Sequence, residues 1–156
     1  MTLFITYREL QQIIADILHQ DVVIEYIEGN IIKISLHSTV EKWGVNMQVD
    51  SSAELELSLS GHDLNIEYRL KVTSGLMSRL INAVAPNIVN LALEYLQSKY
   101  PQYNDIVEKV PNADRLCVHF EAIPQLHNVL QYFVLDSIIP QSDGVQLLAH
   151  IKTTNM

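Results

Sequence analysis

A cysteine and a histidine stand close together in one apolar, strand-like segment, and their types could support nucleophilic chemistry. Cys117, His119 and Glu121 are spaced i, i+2, i+4, and on a strand such residues project from one face. A thiolate nucleophile needs a base at hydrogen-bond distance and a third group that orients the base. Residues two apart on a strand lie about 6.5–7 Å apart at Cα, which predicts no direct contact between the Cys117 thiol and the His119 ring. The pattern therefore favours the mixed outer face of a strand over a catalytic triad.

A histidine–aspartate pair is the next candidate for chemistry. His62 and Asp63 follow Gly61. A zinc or iron site needs three or four converging ligands, so this pair alone is interpreted as a solvated hairpin tip. No spacing argument brings together the histidines of the C-terminal segments, which are His119, His127 and His150. The sequence therefore predicts no metal site and no cofactor.

Carboxylates form a third candidate group. Glu54 and Glu56, with Glu67 on the next predicted strand, share one face. Paired acids can cleave glycosidic bonds when one of them occupies an apolar pocket. Arg69 and Lys71 are close enough across the predicted hairpin to compensate them, which favours a solvated charged face. Since the chain also has no glycine-rich phosphate loop and no Gly-x-Ser-x-Gly motif, we predict a non-enzymatic role.

Composition narrows the class of protein. The chain has 156 residues, 48% of them hydrophobic, which predicts one domain over residues 1–156 with a real core. Its formal net charge of −8 disfavours nucleic acid as a partner. The lone cysteine, Cys117, cannot form an intramolecular disulfide. No basic leader and no apolar run of about 20 residues is visible, which predicts a cytoplasmic protein without a transmembrane segment.

The elements that must position these side chains follow from two periodicities. Thr6 and Glu9 form a capping-box pattern that begins an amphipathic helix over residues 7–19. Period-two alternation predicts the strands. These lie at about 22–27, 31–40, 45–58, 64–72, 116–120, 129–138 and 145–151. Residues 102–113 are predicted to form a loop, and a tight hairpin or bulge is predicted near Gly44.

One segment differs from the rest because it is apolar on nearly all sides. From Leu76 to Leu96 the spacing predicts a long helix that Pro86 kinks near Asn82. The predicted fold class is therefore α+β. A curved antiparallel sheet of about six or seven strands packs on one long kinked helix, and the N-terminal amphipathic helix lies at the edge of the sheet.

From Asn30 to Lys152 the order of elements resembles half of a tubular lipid-binding protein, of the superfamily that includes bactericidal/permeability-increasing-type domains. The resemblance rests on a strand meander, a long apolar helix, a loop and three further strands with Asp-Gly at the last turn. In that superfamily a strongly curved sheet wraps one long helix, and the seam between them holds acyl chains. The resemblance implies a ligand site at the same seam. Its residues would be Leu57, Ile66 and Tyr68 on the sheet with Leu76, Leu80, Val84 and Ile88 on the helix.

Two classes of function remain open at this point. In the first, the chain is an apolar-ligand or lipid-binding module whose site is the seam, with the Tyr68 hydroxyl as a polar group in it. In the second, the core is fully packed, no ligand binds, and the chain is an interaction or assembly protein that associates with itself or with a partner.

Overall fold

The structure is a computed structural model that describes residues 1–18, 21–42, 44–73 and 105–153. Within these ranges the chain forms nine strands, two α-helices and one 3-10 turn. The strands are β1 (Thr2–Thr6), β2 (Val22–Glu28), β3 (Ile31–Lys42), β4 (Val45–Ser60), β5 (Asp63–Thr73), β6 (Val107–Lys109), β7 (Arg115–His119), β8 (Phe133–Pro140) and β9 (Gly144–Ile151). The helices are α1 (Tyr7–Leu18) and α2 (Pro124–Leu130), and the 3-10 turn is Phe120–Ala122.

The strands form two antiparallel sheets. The larger sheet has the order β2-β3-β4-β5-β7-β6, and the smaller sheet has the order β1-β9-β8. The predicted fold class, one sheet packed on a long kinked helix, is therefore wrong: the described residues are mostly strand, and both of their α-helices are short. Alternation identifies strands but not their partners, so it did not reveal that β8 and β9 leave the first sheet and pair with β1. The predicted kinked helix, from Leu76 to Leu96, lies outside the described residues.

Most element positions agree with the sequence prediction, and three differ. The helix α1 and the meander β2 to β5 are confirmed, and Gly44 has a φ of 75° at the predicted tight hairpin. Strand β1 was not predicted. Strand β6 lies in the segment predicted as a loop. Residues 124–130 form α2 rather than the beginning of a strand, because Pro124 occupies the first helical turn, where its fixed φ favours a helix.

The core lies where α1 and the smaller sheet meet the apolar face of the larger sheet. Its buried residues are Tyr7, Val22, Ile24, Ile32, Leu57 and Val145. Leu10 and Ile14 of α1 pack against this cluster, as do Ile5 of β1 and Ile138 of β8. In the described residues, a short helix and a second sheet thus cover part of the apolar face predicted from alternation.

Tyr7 joins the beginning of α1 to the β8–β9 hairpin. Its hydroxyl donates to the Gln141 carbonyl, and its N–H donates to the Asp143 carbonyl at 3.1 Å. Burial raises the pKa of Tyr7. We expect Tyr7→Phe to lower the free energy of unfolding by about 0.5–1.5 kcal/mol, measured by urea denaturation. Tyr132→Phe, at a side chain 65% exposed, is the control; an equal loss there would contradict the role of this hydrogen bond.

Candidate functional site

The sheet residues of the predicted seam lie on the apolar face of the larger sheet. Leu57 of β4 stands opposite Ile66 of β5, and Leu57 and Tyr68 are each 5% exposed. The Tyr68 hydroxyl is buried and has no hydrogen-bond partner in the described part of the chain. Burial raises the pKa of Tyr68, and the negative charge of Asp114 adds to that shift. The helix residues of the seam, Leu76, Leu80, Val84 and Ile88, lie outside the described residues, so the seam site stays a prediction.

The polar face of the same sheet brings together side chains that are far apart in sequence. Asp63 at the beginning of β5 pairs with His119 at the end of β7. Glu108 of β6 pairs with Cys117 of β7. Since Cys117 and His119 are two residues apart on one strand, all four side chains project from one face. We call these four residues the histidine cluster.

Short contacts join the members of the histidine cluster. Nδ1 of His119 lies 2.9 Å from Oδ1 of Asp63, and Nε2 lies 3.1 Å from Oε2 of Glu108. The Sγ atom of Cys117 lies 3.8 Å from Nδ1 of His119. One donor atom each from Asp63, Cys117 and His119 lies within 4.8 Å of the other two. The imidazole is therefore held between two carboxylates, with a thiol beside its Nδ1 atom.

The sequence prediction that Cys117 and His119 would not touch is wrong. The Cα atoms of the two residues are about 6.5–7 Å apart on a strand, but side chains lean along a strand and strands twist, so the ends of two side chains can come closer than their Cα atoms. Asp63 also draws the His119 ring toward β5 through the 2.9 Å contact. Glu121, the third residue of the predicted pattern, is absent from the cluster because it lies in the 3-10 turn and pairs with His62.

The charges around the histidine cluster favour protonated groups. Hydrogen bonds to Asp63 and Glu108 raise the pKa of His119. Burial raises the pKa of the Cys117 thiol, and the negative charges of Asp63 and Glu108 add to that shift. A nucleophilic cysteine needs a lowered pKa, so this arrangement does not favour covalent catalysis. The same nitrogen, sulfur and oxygen donors suit a cation instead.

The other histidines have different partners. His62 contacts Glu121 and also lies 3.2 Å from the Phe133 carbonyl oxygen through Nε2. His127 contacts the Glu121 carbonyl at 3.1 Å, and His150 contacts Asp136 at 2.7 Å. In the residues that the structure describes, the three C-terminal histidines therefore do not share a site.

The carboxylates considered for glycosidic chemistry line a polar groove of about 350 Å³ on the same face. Glu54 stands opposite Arg69 in the register of β4 and β5. Glu56 stands opposite Glu67, and Glu67 forms an ion pair with Arg115 of β7. Because charged side chains of both signs line the groove, it is not the apolar pocket that a catalytic acid would require.

A recess beside the smaller sheet is apolar. It has a volume of about 110 Å³. Its lining comes from β1, β8, β9, α2 and the 3-10 turn, and includes Met1, Leu3, Phe120, Leu126, Leu130 and Leu147. Met1 is 57% exposed and Leu3 is 54% exposed, while Phe4, on the opposite face of β1, is 44% exposed. The first strand therefore presents apolar side chains on both of its faces.

The sequence contained both halves of the histidine cluster but not their pairing. His62-Asp63 and Cys117-x-His119 were identified separately, and Glu108 carried no signal because its segment was predicted as a loop. One feature of the sequence does indicate this pairing: one strand begins at Asp63 and another ends near His119. An antiparallel pair can place these two ends opposite each other.

In the part of the chain that the structure describes, none of the helices has the length and apolar character needed to cross a bilayer.

Comparison with known proteins adds no assignment. No protein-family model, curated protein or solved structure matches this chain.

Proposed function

We propose that this chain is an assembly module that pairs with a second copy of itself through the outer edge of β1. The observation that carries the proposal is the sequence of this edge strand. Thr2–Thr6 reads Thr-Leu-Phe-Ile-Thr, which has no charge and no proline. In the described residues its outer edge pairs with no strand. This follows the second of the two functions that the sequence left open.

The edges of the two sheets differ in how they are protected against pairing. Natural edge strands avoid association through charge, proline, bulges or shortness. On β8 the bulge at Asp136 and the terminal Pro140 serve this purpose. Strand β2 carries Glu25 and a bulge before Glu28, and β6 has only three residues. Among the edges of the described sheets, β1 is the one without such a device.

The sequence of β1 is nearly symmetric about Phe4. An antiparallel pair of β1 strands related by a two-fold axis at Phe4 would set Phe4 opposite its own copy. Leu3 would then face Ile5, and Thr2 would face Thr6. Aromatic pairs and threonine pairs directly opposite each other stabilise antiparallel strands by about 0.2–1 kcal/mol each. A two-fold contact of this kind uses one surface on both copies, which is the commonest symmetry among homo-oligomers.

The backbone of β1 has hydrogen-bonding groups available for this pairing. Met1 and Ala149 exchange two backbone hydrogen bonds, of 2.7 and 2.9 Å. Residues whose backbone groups bond to the neighbouring strand alternate along an antiparallel strand. The backbone N–H and C=O groups of Leu3 and Ile5 therefore also point toward β9, whereas those of Thr2, Phe4 and Thr6 point outward. The Thr6 N–H already donates to the Glu9 carboxylate at 2.9 Å. The N–H groups of Thr2 and Phe4 could therefore donate to the second copy.

The apolar recess beside β1 suits a packed side chain better than a bound ligand. Sites for small molecules are usually about 300–1,000 Å³, and the recess has about 110 Å³. That volume suits one side chain rather than an acyl chain. The half-exposed Leu3 and Phe4 are also typical of a strand that a partner covers.

Sedimentation equilibrium and native mass spectrometry of the full chain test this proposal. We expect the wild type to show a concentration-dependent dimer, at twice the 17.7 kDa of one chain. Phe4→Lys should shift it to monomer, because two like charges would meet at the two-fold axis. Phe4→Pro should do the same while keeping the fold, since it removes an N–H that points away from β9.

Ile151→Lys is the matched control, because it places the same charge at an exposed apolar residue of the same sheet (66% exposed). This variant should remain dimeric. A wild type that stays monomeric at high concentration would overturn the proposal, as would a dimer that persists in both Phe4 variants. A monomer that carries an adduct of lipid mass would instead support the ligand-binding alternative.

A further inference from the structure

We propose that Asp63, Cys117 and His119 bind a zinc ion, and that Glu108 orients the His119 ring for this role. The proposal is independent of the assembly function. It assigns a site to the histidine cluster, whose contacts combine three kinds of donor atom at one point of the larger sheet.

The spacing of the donor atoms suits tetrahedral coordination. Zinc binds sulfur at about 2.3 Å and nitrogen or oxygen at about 2.0–2.2 Å, which places tetrahedral ligands about 3.3–3.8 Å from one another. The Sγ atom of Cys117 and Nδ1 of His119 are 3.8 Å apart. Nδ1 and the Asp63 oxygen are 2.9 Å apart, so this carboxylate would move a few tenths of an ångström away from Nδ1 to reach the tetrahedral spacing. The Asp63 oxygen and Sγ of Cys117 lie within 4.8 Å of each other.

The orientation of the His119 ring supports the same assignment. Zinc-binding histidines usually direct their other ring nitrogen to a carboxylate, which fixes the ring and makes the ligand more basic. Here Nε2 lies 3.1 Å from the Glu108 carboxylate, while Nδ1 points between Asp63 and Cys117. A zinc ion would take the place of the proton that Nδ1 shares with Asp63.

The chemistry of the donors selects the class of ion. A thiolate and an imidazole favour zinc and similar transition metals, whereas magnesium and calcium require mainly oxygen ligands. The Asp63 carboxylate and the Cys117 thiolate would together neutralise a divalent charge. Three protein ligands leave one of the four zinc positions to water or to a donor from another molecule.

Titration of the full chain with cobalt(II), a spectroscopic substitute for zinc, is the direct test. We expect one equivalent to produce the intense visible bands of tetrahedral cobalt and a thiolate-to-cobalt charge-transfer band in the near ultraviolet. Zinc should displace the cobalt and remove both signals. Zinc should also slow modification of Cys117 by a thiol reagent, and this readout is clean because Cys117 is the chain's single cysteine.

Variants locate the ion. Cys117→Ser should abolish the charge-transfer band, and His119→Ala should weaken cobalt binding by at least about 10-fold. Glu108→Gln should weaken binding by about 10–100-fold without changing thermal stability in chelator, because the Glu108 side chain is 65% exposed. His150→Ala is the matched control, since His150 also contacts a carboxylate at 2.7 Å but belongs to another site.

Two results with the wild-type chain would overturn the proposal, and neither depends on whether a variant folds. One is a wild-type chain that shows no tetrahedral cobalt spectrum. The other is a spectrum without a thiolate band, together with Cys117 reactivity that zinc does not change. If His150→Ala lowers binding as much as His119→Ala, the ion is held elsewhere.

Discussion

Truncation of Leu57 to alanine should lower the free energy of unfolding by about 2–5 kcal/mol. Leu57 is 5% exposed and belongs to the buried cluster that also contains Ile32 and Val145. Removing its isobutyl group would leave a cavity where two sheets and α1 meet, and the surrounding strands can close it only in part. Urea denaturation would measure the loss of stability. Thermal denaturation should show a fall in Tm of roughly 4–20 °C for a chain of this size.

The same measurement bears on the predicted seam, to which Leu57 was assigned. Ile151→Ala, at a side chain 66% exposed on the smaller sheet, is the control and should change stability by less than about 0.5 kcal/mol. A loss below about 1 kcal/mol for Leu57→Ala would contradict a close-packed core at this position. It would favour a ligand-filled space beside β4.

Substitution of Gly144 by alanine should displace β1 from β9 and cost about 1–3 kcal/mol or more. A Cβ atom at Gly144 would lie 2.3 Å from the Ile5 carbonyl oxygen, 2.7 Å from the Phe4 ring and 2.9 Å from the Thr6 Cα atom. The ring can rotate away, but two of these atoms belong to the backbone of β1. Removing these clashes therefore requires movement of β1, and the loss of stability should lie at the upper end of this range.

Hydrogen exchange distinguishes this effect from a general loss of stability. In Gly144→Ala, exchange should quicken at two amides that hold the β1 segment to the β9 segment. The Tyr7 N–H donates to the Asp143 carbonyl, and the Ala149 N–H donates to the Met1 carbonyl. Gly29→Ala is the control: its Cβ would meet nothing within 4 Å, and its φ of 51° makes the cost one of backbone conformation alone. Equal protection of these two amides in both variants would contradict the predicted displacement.

Local features of this fold were predictable because neighbouring residues specify them. The capping box at the beginning of α1 is confirmed: the Thr6 N–H donates to Glu9 at 2.9 Å, and the Glu9 N–H donates to the Thr6 hydroxyl at 3.1 Å. The period-two alternation correctly predicted the meander from β2 to β5. It failed at β1, because this strand has only five residues before the helix signal and no repeat is long enough to be recognised.

The histidine cluster marks the limit of what local pattern can predict. The sequence identified Asp63 beside His62, and Cys117 beside His119, as residues whose types could do chemistry. Whether they meet depends on the register of β5 with β7, which sets Asp63 opposite His119. Shifting that register by one residue would move every side chain of one strand to the other face, and nothing within either strand alone specifies the register.

By itself, the sequence determined the strands of the meander from β2 to β5, where α1 begins, and which face of each long strand is apolar. These properties depend on the periods of 2.0 and 3.6 residues and on contacts within a few positions. Only the tertiary structure decided that β1 pairs with β9, that two sheets form instead of one, and that three strands bring their acids, cysteine and histidine together. The physical reason is that such pairings join residues more than a hundred positions apart in the case of β1 and β9. Their free energy comes from burial and register across the whole core, which no local stretch of sequence contains.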